Sequence, residues 1–260
     1  MGTVEQIRER GYAVVEGIIP AADVGRIRDD IVAAADEFGS KDPRNTYLAT
    51  TINYTQSFAP YVADARILAI VESFFGPHAR VSSTSTQINE RDNKRGEWHA
   101  DWPYTPFNAG HIPQPIPDVV MHLTSILMLV DFTEENGGTL IRPGSHTWGT
   151  NPGYDGEERY DDYPDQVQAE GTAGSMLVMD SRIWHAVAVN RTSERRAALV
   201  VRYAPWWLNL DVFMPGSEER KMIVEEPGIF GSSYPAVSRE AYESLADEAK
   251  PLFRHWLGAR

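Results

Sequence analysis

The 260-residue chain contains no cysteine. Disulfides, thiolate metal sites and thiol nucleophiles are therefore excluded, and His, Asp and Glu remain as the strong metal ligands. Positive charge is also scarce, with 24 Lys and Arg against 37 Asp and Glu and a formal net charge of −13. Such a surface repels phosphate backbones and anionic lipid, so neither nucleic acid nor membrane is expected as a partner, and an anionic ligand would have to meet a local Arg or Lys. Long apolar runs are missing too: the most apolar stretch, residues 119–130, is interrupted by His122, Thr124 and Ser125. That falls short of the roughly 18 to 20 residues that span a bilayer. The first ten residues carry charge where a secretory leader has an apolar centre, so the expected location is the cytoplasm.

Apolar and aromatic residues are plentiful, at 42% and 10%, with seven Trp and eleven Tyr. A single domain over residues 1–260 can then build its core without covalent staples, as a monomer or a homo-oligomer. Residues 11–19 read as a strand, ended by Pro20 before a helix for which Asp23 is the expected N-cap. Val24, Ile27, Ile31, Ala34 and Phe38 follow one helical face. A second helix is expected over residues 61–75, stopped by Gly76 and Pro77. From Arg80 onward the pattern becomes short strands, at 81–89, 119–132, 139–142, 175–180, 184–190 and 197–204, separated by Gly, Pro and Asn. Such strands without intervening helices predict a mainly β barrel or sandwich with flanking helices. The acidic stretch 154–165 reads as a solvated loop, with a lid over a site as the alternative. Ser238 is expected to cap a final helix through Ala241, Leu245 and Ala249 that Pro251 breaks.

Two groups suited to gripping an ion stand two residues apart in Glu97-Trp-His-Ala-Asp-Trp-Pro-Tyr104, where His99 and Asp101 share one side of an extended backbone. A third ligand is available in His185, within another apolar strand-like run. Two imidazoles and one carboxylate on one face of an octahedral ion leave three positions open, which suits iron(II) that must hold a bidentate cosubstrate and O2. A structural zinc site would instead be closed by protein ligands. Ten and eleven residues past His185, across an apparent turn at 190–194, stand Arg195 and Arg196, and a guanidinium fork can clamp a carboxylate. If the two strands form a hairpin, an even loop places Arg196 opposite His185 and an odd one places Arg195 there. Spacing leaves both open.

The chain resembles the phytanoyl-CoA dioxygenase family of 2-oxoglutarate oxygenases over roughly residues 11–204. The likeness rests on the opening from Gly11 to Pro20, on Trp98-His-Ala-Asp-Trp-Pro-Tyr104, on Glu135-Asn-Gly-Gly-Thr-Leu-Ile-Arg-Pro-Gly-Ser-His146, and on Trp184-His185 with its downstream arginine. The resemblance implies a double-stranded β-helix, the cupin-like jelly roll, with helices buttressing one sheet. It implies Fe(2+) on His99, Asp101 and His185, 2-oxoglutarate and O2 as cosubstrates, Arg196 with Thr139 on the distal carboxylate, and a turn role for His146. Gln87 is a candidate contact of the cosubstrate if it shares an inward face with Ser85 and Asn89.

The implied activity is oxidation of a small organic metabolite, hydroxylation first, with release of succinate and CO2. A natural-product scaffold is the preferred substrate class. Halogenases similar to the family replace the iron-binding carboxylate, whereas Asp101 is retained here; desaturation, epoxidation and cyclisation remain compatible. Trp98, Trp102, Tyr104, Trp206 and Trp207 are the candidate aromatic lining of a substrate pocket. The rivals are a cupin-like protein that binds a metal or small molecule without oxygen chemistry, and a zinc hydrolase, for which no motif supplies a general base.

Overall fold

The computed structural model describes residues 1–105, 112–152, 157–226 and 236–257. Ten strands are present among them: β1 (Tyr12–Val15), β2 (Ser40–Lys41), β3 (Thr46–Ala49), β4 (Arg80–Asn89), β5 (Leu123–Met128), β6 (Leu140–Ile141), β7 (Val167–Gln168), β8 (Met176–Asp180), β9 (His185–Ala186) and β10 (Arg196–Ala204). The larger sheet has the antiparallel order β1-β8-β5-β10-β4-β3-β2, and the smaller one β7-β6-β9. From β5 onward the chain passes from the large sheet to the small one at β6, back at β8, out at β9 and back at β10. This alternation between two facing sheets is the double-stranded β-helix expected from the sequence.

The period of two along β10 divides its residues between two environments. Ala197, Leu199, Val201 and Tyr203 join the main apolar core with residues of the helices α1 (Thr3–Arg10), α2 (Ala21–Phe38), α3 (Ala59–Val62) and α4 (Ala65–Phe75). Arg196, Ala198, Val200 and Arg202 face the opposite way, into a cavity between the sheets. The helices therefore buttress the large sheet from outside and leave its inner face for the site. No helix among the described residues is long and apolar enough to cross a membrane.

Several local expectations need correction. Helix α2 begins at Ala21 directly after Pro20, so Asp23 lies in its first turn, where a carboxylate suits the helix dipole and accepts from Tyr61 Oη at 3.0 Å. Phe38 is not on the buried face: it is half exposed and stacks on Tyr54 with ring centroids 4.7 Å apart, while Ala34 and Ala35 carry the buried turn. The helix expected over 61–75 is two, because the Asp64 carboxylate accepts from Arg66 N at 2.9 Å and starts α4 afresh. Past the short α5 (Glu218–Arg220), Ser238 does cap α6 (Arg239–Glu243). Pro251, however, opens α7 (Lys250–Phe253) rather than ending α6, at a position where its missing N–H has no partner to lose.

The Asn136-Gly137-Gly138 turn has a steric origin. Gly137 adopts φ +81°, and a Cβ on Gly138 would lie 2.2 Å from the backbone oxygen of Ala169. Ala169 N in turn donates to Thr139 O at 2.8 Å, so the close approach anchors the strand that carries Thr139. Gly138→Ala should accordingly cost on the order of 2 kcal/mol or more. Thermal unfolding will show a clearly lowered midpoint, and an unchanged midpoint would refute the packing reason for this glycine.

Candidate active site

His99 and His185 are directly opposed across an antiparallel bridge and exchange both backbone bonds, His99 N to His185 O and His185 N to His99 O, each 3.0 Å. Gly96 N donates to Val187 O and Asp101 N to Ser181 O, so residues 96–101 extend the small sheet beyond β9. The imidazole centroids stand 4.2 Å apart. Asp101, two residues along, presents its carboxylate 4.0 Å from His99 Nε2 and 3.8 Å from His185 Nε2. One ligand atom from each of the three lies within 4.8 Å of the others, the only such His, Cys, Asp or Glu group among the described residues.

The local backbone selects the histidine tautomers. His99 Nδ1 lies 3.0 Å from Glu97 O and His185 Nδ1 3.0 Å from Ile183 O, and a carbonyl can only accept, so each Nδ1 carries the proton. Both Nε2 lone pairs are thereby left for an ion, the usual arrangement of a metal-binding histidine with its second nitrogen fixed. Burial, and then the neighbouring His99, push His185 down to about 4, so its imidazole is neutral at ordinary pH and no proton competes with a metal there.

Asp101 is held by groups that motif reading did not single out. Arg202 Nη2 donates to Oδ1 at 3.0 Å and its Nε to Oδ2 at 3.3 Å, while Thr124 Oγ1 donates to Oδ2 at 2.5 Å. Burial alone would raise this carboxyl, but Arg202, then His185 and His99, outweigh it and hold the group far below the usual carboxylate range. Behind it lies His122, fully buried between Ser82 Oγ at 2.6 Å and Ser181 Oγ at 3.3 Å, and driven down to about 3 by burial and then Arg202. Arg202 had a readable signal: counting by twos along β10 from Arg196 places it on the same inner face.

Arg196 and Arg195 point to opposite sides of the sheet. Arg195 pairs outside with Asp36 of α2 and with Glu90, at 2.8 and 2.9 Å. Arg196 is buried, lines the cavity with Thr139 and Gln87, and has no ion-pair or hydrogen-bond partner among the described residues; its Nε is an orphan and its guanidinium lies 4.6 Å over the Phe132 ring. Burial without a counter-ion drags it down to about 10. The hairpin premise that left Arg195 and Arg196 both open is incorrect, however. His185 pairs with Ile141 in the small sheet and Arg196 with Asn89 in the large one, so the two face each other across the cavity rather than along one ladder.

Of the five aromatic candidates, only Trp102 lines the cavity, its ring edge-on to His122 and Phe213. Trp98 is sealed in a separate small core with Leu140 and Ala186, its Nε1 donating to Asp161 O at 2.8 Å. Tyr104 is buried elsewhere with its hydroxyl on Val119 O, while Trp206 and Trp207 are more than half exposed and outside the cavity wall. The cavity, about 650 Å³, takes the rest of its wall from Tyr47, Ile126, Val212, Phe213, Arg220 and Val224, with Asp42, Arg44 and Glu97 also among its lining. Residues 154–156 of the acidic stretch lie outside the described residues. The described remainder is tied down by Arg95 to Asp162 and Arg142 to Asp165 and adds nothing to the cavity wall. His146 is a buried turn residue bonded through Nε2 to Arg8 O, as expected.

If the three clustered side chains hold a divalent ion, His185→Ala should lower nickel(II) affinity by more than the roughly 10- to 100-fold that loss of an outer partner costs, and Thr124→Val should fall within that range. Equilibrium dialysis with metal analysis checks the order. Equal affinity in wild type and His185→Ala would remove the site.

Comparison with known proteins agrees with this geometry. A family model described as phytanoyl-CoA dioxygenase matches residues 7–198. Dioxygenase af480 of Aspergillus fumigatus is 31% identical over 137 residues, 52% of this chain but only 40% of that protein's own length. HygX from Streptomyces hygroscopicus, solved with nickel, 2-oxoglutarate and hygromycin B, shares the fold at a TM-score of 0.64 and 16% identity, over 83% of this chain and 93% of its own. The epimerase SnoN, solved with Fe3+, alpha ketoglutarate and nogalamycin RO, does so at 0.60 and 21%, over 78% and 82%. With the family model spanning most of the chain, the jelly roll in place and two histidines and an aspartate converging in its cavity, the chain belongs to the phytanoyl-CoA dioxygenase family of non-haem iron(II)/2-oxoglutarate oxygenases.

Proposed function

We propose that this chain oxidises, and specifically hydroxylates, a small organic metabolite at an iron(II) ion held by His99, Asp101 and His185, with 2-oxoglutarate anchored by Arg196. The observation that carries the proposal is the buried guanidinium of Arg196, without an ion-pair or hydrogen-bond partner among the described residues, in the same cavity as the ligand cluster. Burying an arginine without a counter-ion is costly, and a ligand carboxylate is what would offset it. The donor set fits the metal too, since nitrogen and oxygen ligands on one face suit iron(II).

Iron(II) with 2-oxoglutarate and O2 supplies the oxidising power, with succinate and CO2 released, and the protein supplies orientation and exclusion of competing reactions. His99 and His185 direct their Nε2 lone pairs inward because their Nδ1 protons are committed to backbone carbonyls. Arg202 and Thr124 keep Asp101 ionised and fix its plane. Thr139 supports Arg196 at the distal carboxylate, and Gln87, opposite Ala198 on the neighbouring strand, adds a polar contact on that face. Trp102, Phe213, Ile126 and Val212 shed water around the substrate. With Asp101 present to hold the ion, no protein ligand would be missing for a halide to replace. Hydroxylation rather than another oxidative outcome would depend on how the cavity wall places the substrate C–H bond. The proposal places the reaction in the cytoplasm, on a single domain.

Under anaerobic conditions, iron(II) plus 2-oxoglutarate should give a weak visible charge-transfer band that His99→Ala lacks. Arg196→Ala should weaken 2-oxoglutarate binding by roughly 10- to 100-fold, the worth of charge-assisted hydrogen bonds, while Arg195→Ala leaves it within about twofold. A colourless protein that binds zinc tightly and forms no succinate with any metabolite in a screen would overturn the proposal.

A further inference from the structure

Four arginines line the cavity, and three already have assignments. Arg202 is engaged with Asp101, Arg44 lies between Asp42 at 3.2 Å and Glu97 at 3.7 Å, and Arg196 is the anchor for the cosubstrate. The fourth, Arg220, ends the short helix α5 on the wall that also carries Val212, Phe213 and Val224. It is only 2% exposed. Among the described residues its one charged partner is Glu225, reached through Nε at 3.1 Å, and that glutamate is itself 53% exposed. The terminal nitrogens of Arg220 have no acceptor among the described residues.

A guanidinium buried in a cavity wall with its outer donors unfilled is a costly arrangement in the absence of a ligand. The cosubstrate does not account for it. One end of 2-oxoglutarate chelates the metal and the other needs a single fork, which Arg196 provides from the inner face of β10. Apolar Phe213 and Val212 share the wall with Arg220, and Phe213 packs on Trp102 with centroids 4.8 Å apart, next in sequence to Asp101. The wall thus offers an apolar surface beside the ligand cluster and a cationic anchor on the same segment.

We infer that the substrate of this enzyme carries a carboxylate, which the terminal nitrogens of Arg220 hold while its apolar body lies against Phe213 and Trp102. The inference rests on the oxygenase reading above and adds the substrate class. A singly charged carboxylate suits the site better than a phosphate, because Glu225 already offsets part of the arginine's charge. In this role Arg220 determines specificity and placement and takes no part in the metal chemistry.

The test uses the full chain loaded with nickel(II) and saturated with 2-oxoglutarate, so that no turnover occurs. Hexanoate, benzoate and indole-3-acetate are titrated beside their primary amides and phenyl phosphate, with binding read by calorimetry and ligand-detected NMR. At least one acid should bind about tenfold or more tightly than its amide. Arg220→Gln should bring that pair to within about twofold while leaving 2-oxoglutarate affinity unchanged. Glu225→Gln, which keeps the arginine and removes its competing acid, should widen the preference. The inference fails if no acid is preferred over its amide, if the preference survives in Arg220→Gln, or if phenyl phosphate outcompetes benzoate. It also fails if Arg220→Gln, and not Arg196→Gln, abolishes 2-oxoglutarate binding. Failure of the oxygenase reading would look different, since wild-type protein would then take up neither nickel nor 2-oxoglutarate.

Discussion

The reciprocal backbone bonds between His99 and His185 are the constraint on which the site depends. In an antiparallel pair the side chains of directly opposed residues emerge on one face within a few ångströms of each other, so a single register brings two imidazoles together from positions far apart in sequence. Extended backbone then places Asp101 beside them. The same stretches put Glu97 O and Ile183 O, each two residues back, under the Nδ1 protons. Ligand position and ligand tautomer follow from one piece of strand pairing. Slipping either strand by one residue would turn its own ring out of the cavity and separate the pair.

Motifs that carry no metal ligand serve this register through packing. Gly11 takes φ +86° at the end of α1, and a Cβ there would lie 2.7 Å from His146 Nδ1 and 2.6 Å from Ile183 Cδ1. Gly144 N donates to Arg10 O and Asp180 N to Gly11 O. The opening segment, the Pro143-Gly-Ser-His146 turn and the chain leading into β9 thus meet at one point, just ahead of His185. Gly138 does the same for the strand carrying Thr139, where only a residue without a side chain clears Ala169 O.

Electrostatics separates the interior from the exterior. The chain is strongly acidic overall, yet Arg196, Arg202 and Arg220 are gathered in the cavity wall. In a low-dielectric cavity each guanidinium is expensive unless matched, and the three differ in how far the protein matches them. Among the described residues, Arg202 has Asp101, Arg220 shares one nitrogen with a half-solvated glutamate, and Arg196 has only the face of Phe132. That gradation separates an arginine fixed on the Asp101 carboxylate from two whose donors are left largely unmatched among the described residues.

By itself the sequence marked out His99, Asp101 and His185 as a group, the buried faces of the major helices, the strand-rich second half and an arginine at 195 or 196 as a candidate, because alternation and helical spacing are local patterns. Sheet membership was decided only by the tertiary structure. His185 and Arg196 read as neighbours on one hairpin but lie in opposite sheets, since a period of two reports a face and not a partner. Trp98, Tyr104, Trp206 and Trp207 read as pocket lining for their composition alone, and packing sent them to a side core, a backbone contact and solvent. Arg202 could have been found by alternation along β10, but Arg220 became a functional candidate only when long-range folding turned it toward the same cavity. Alternation and capping act between residues a few positions apart, whereas the lining of a cavity depends on which distant strands and loops come to face one another.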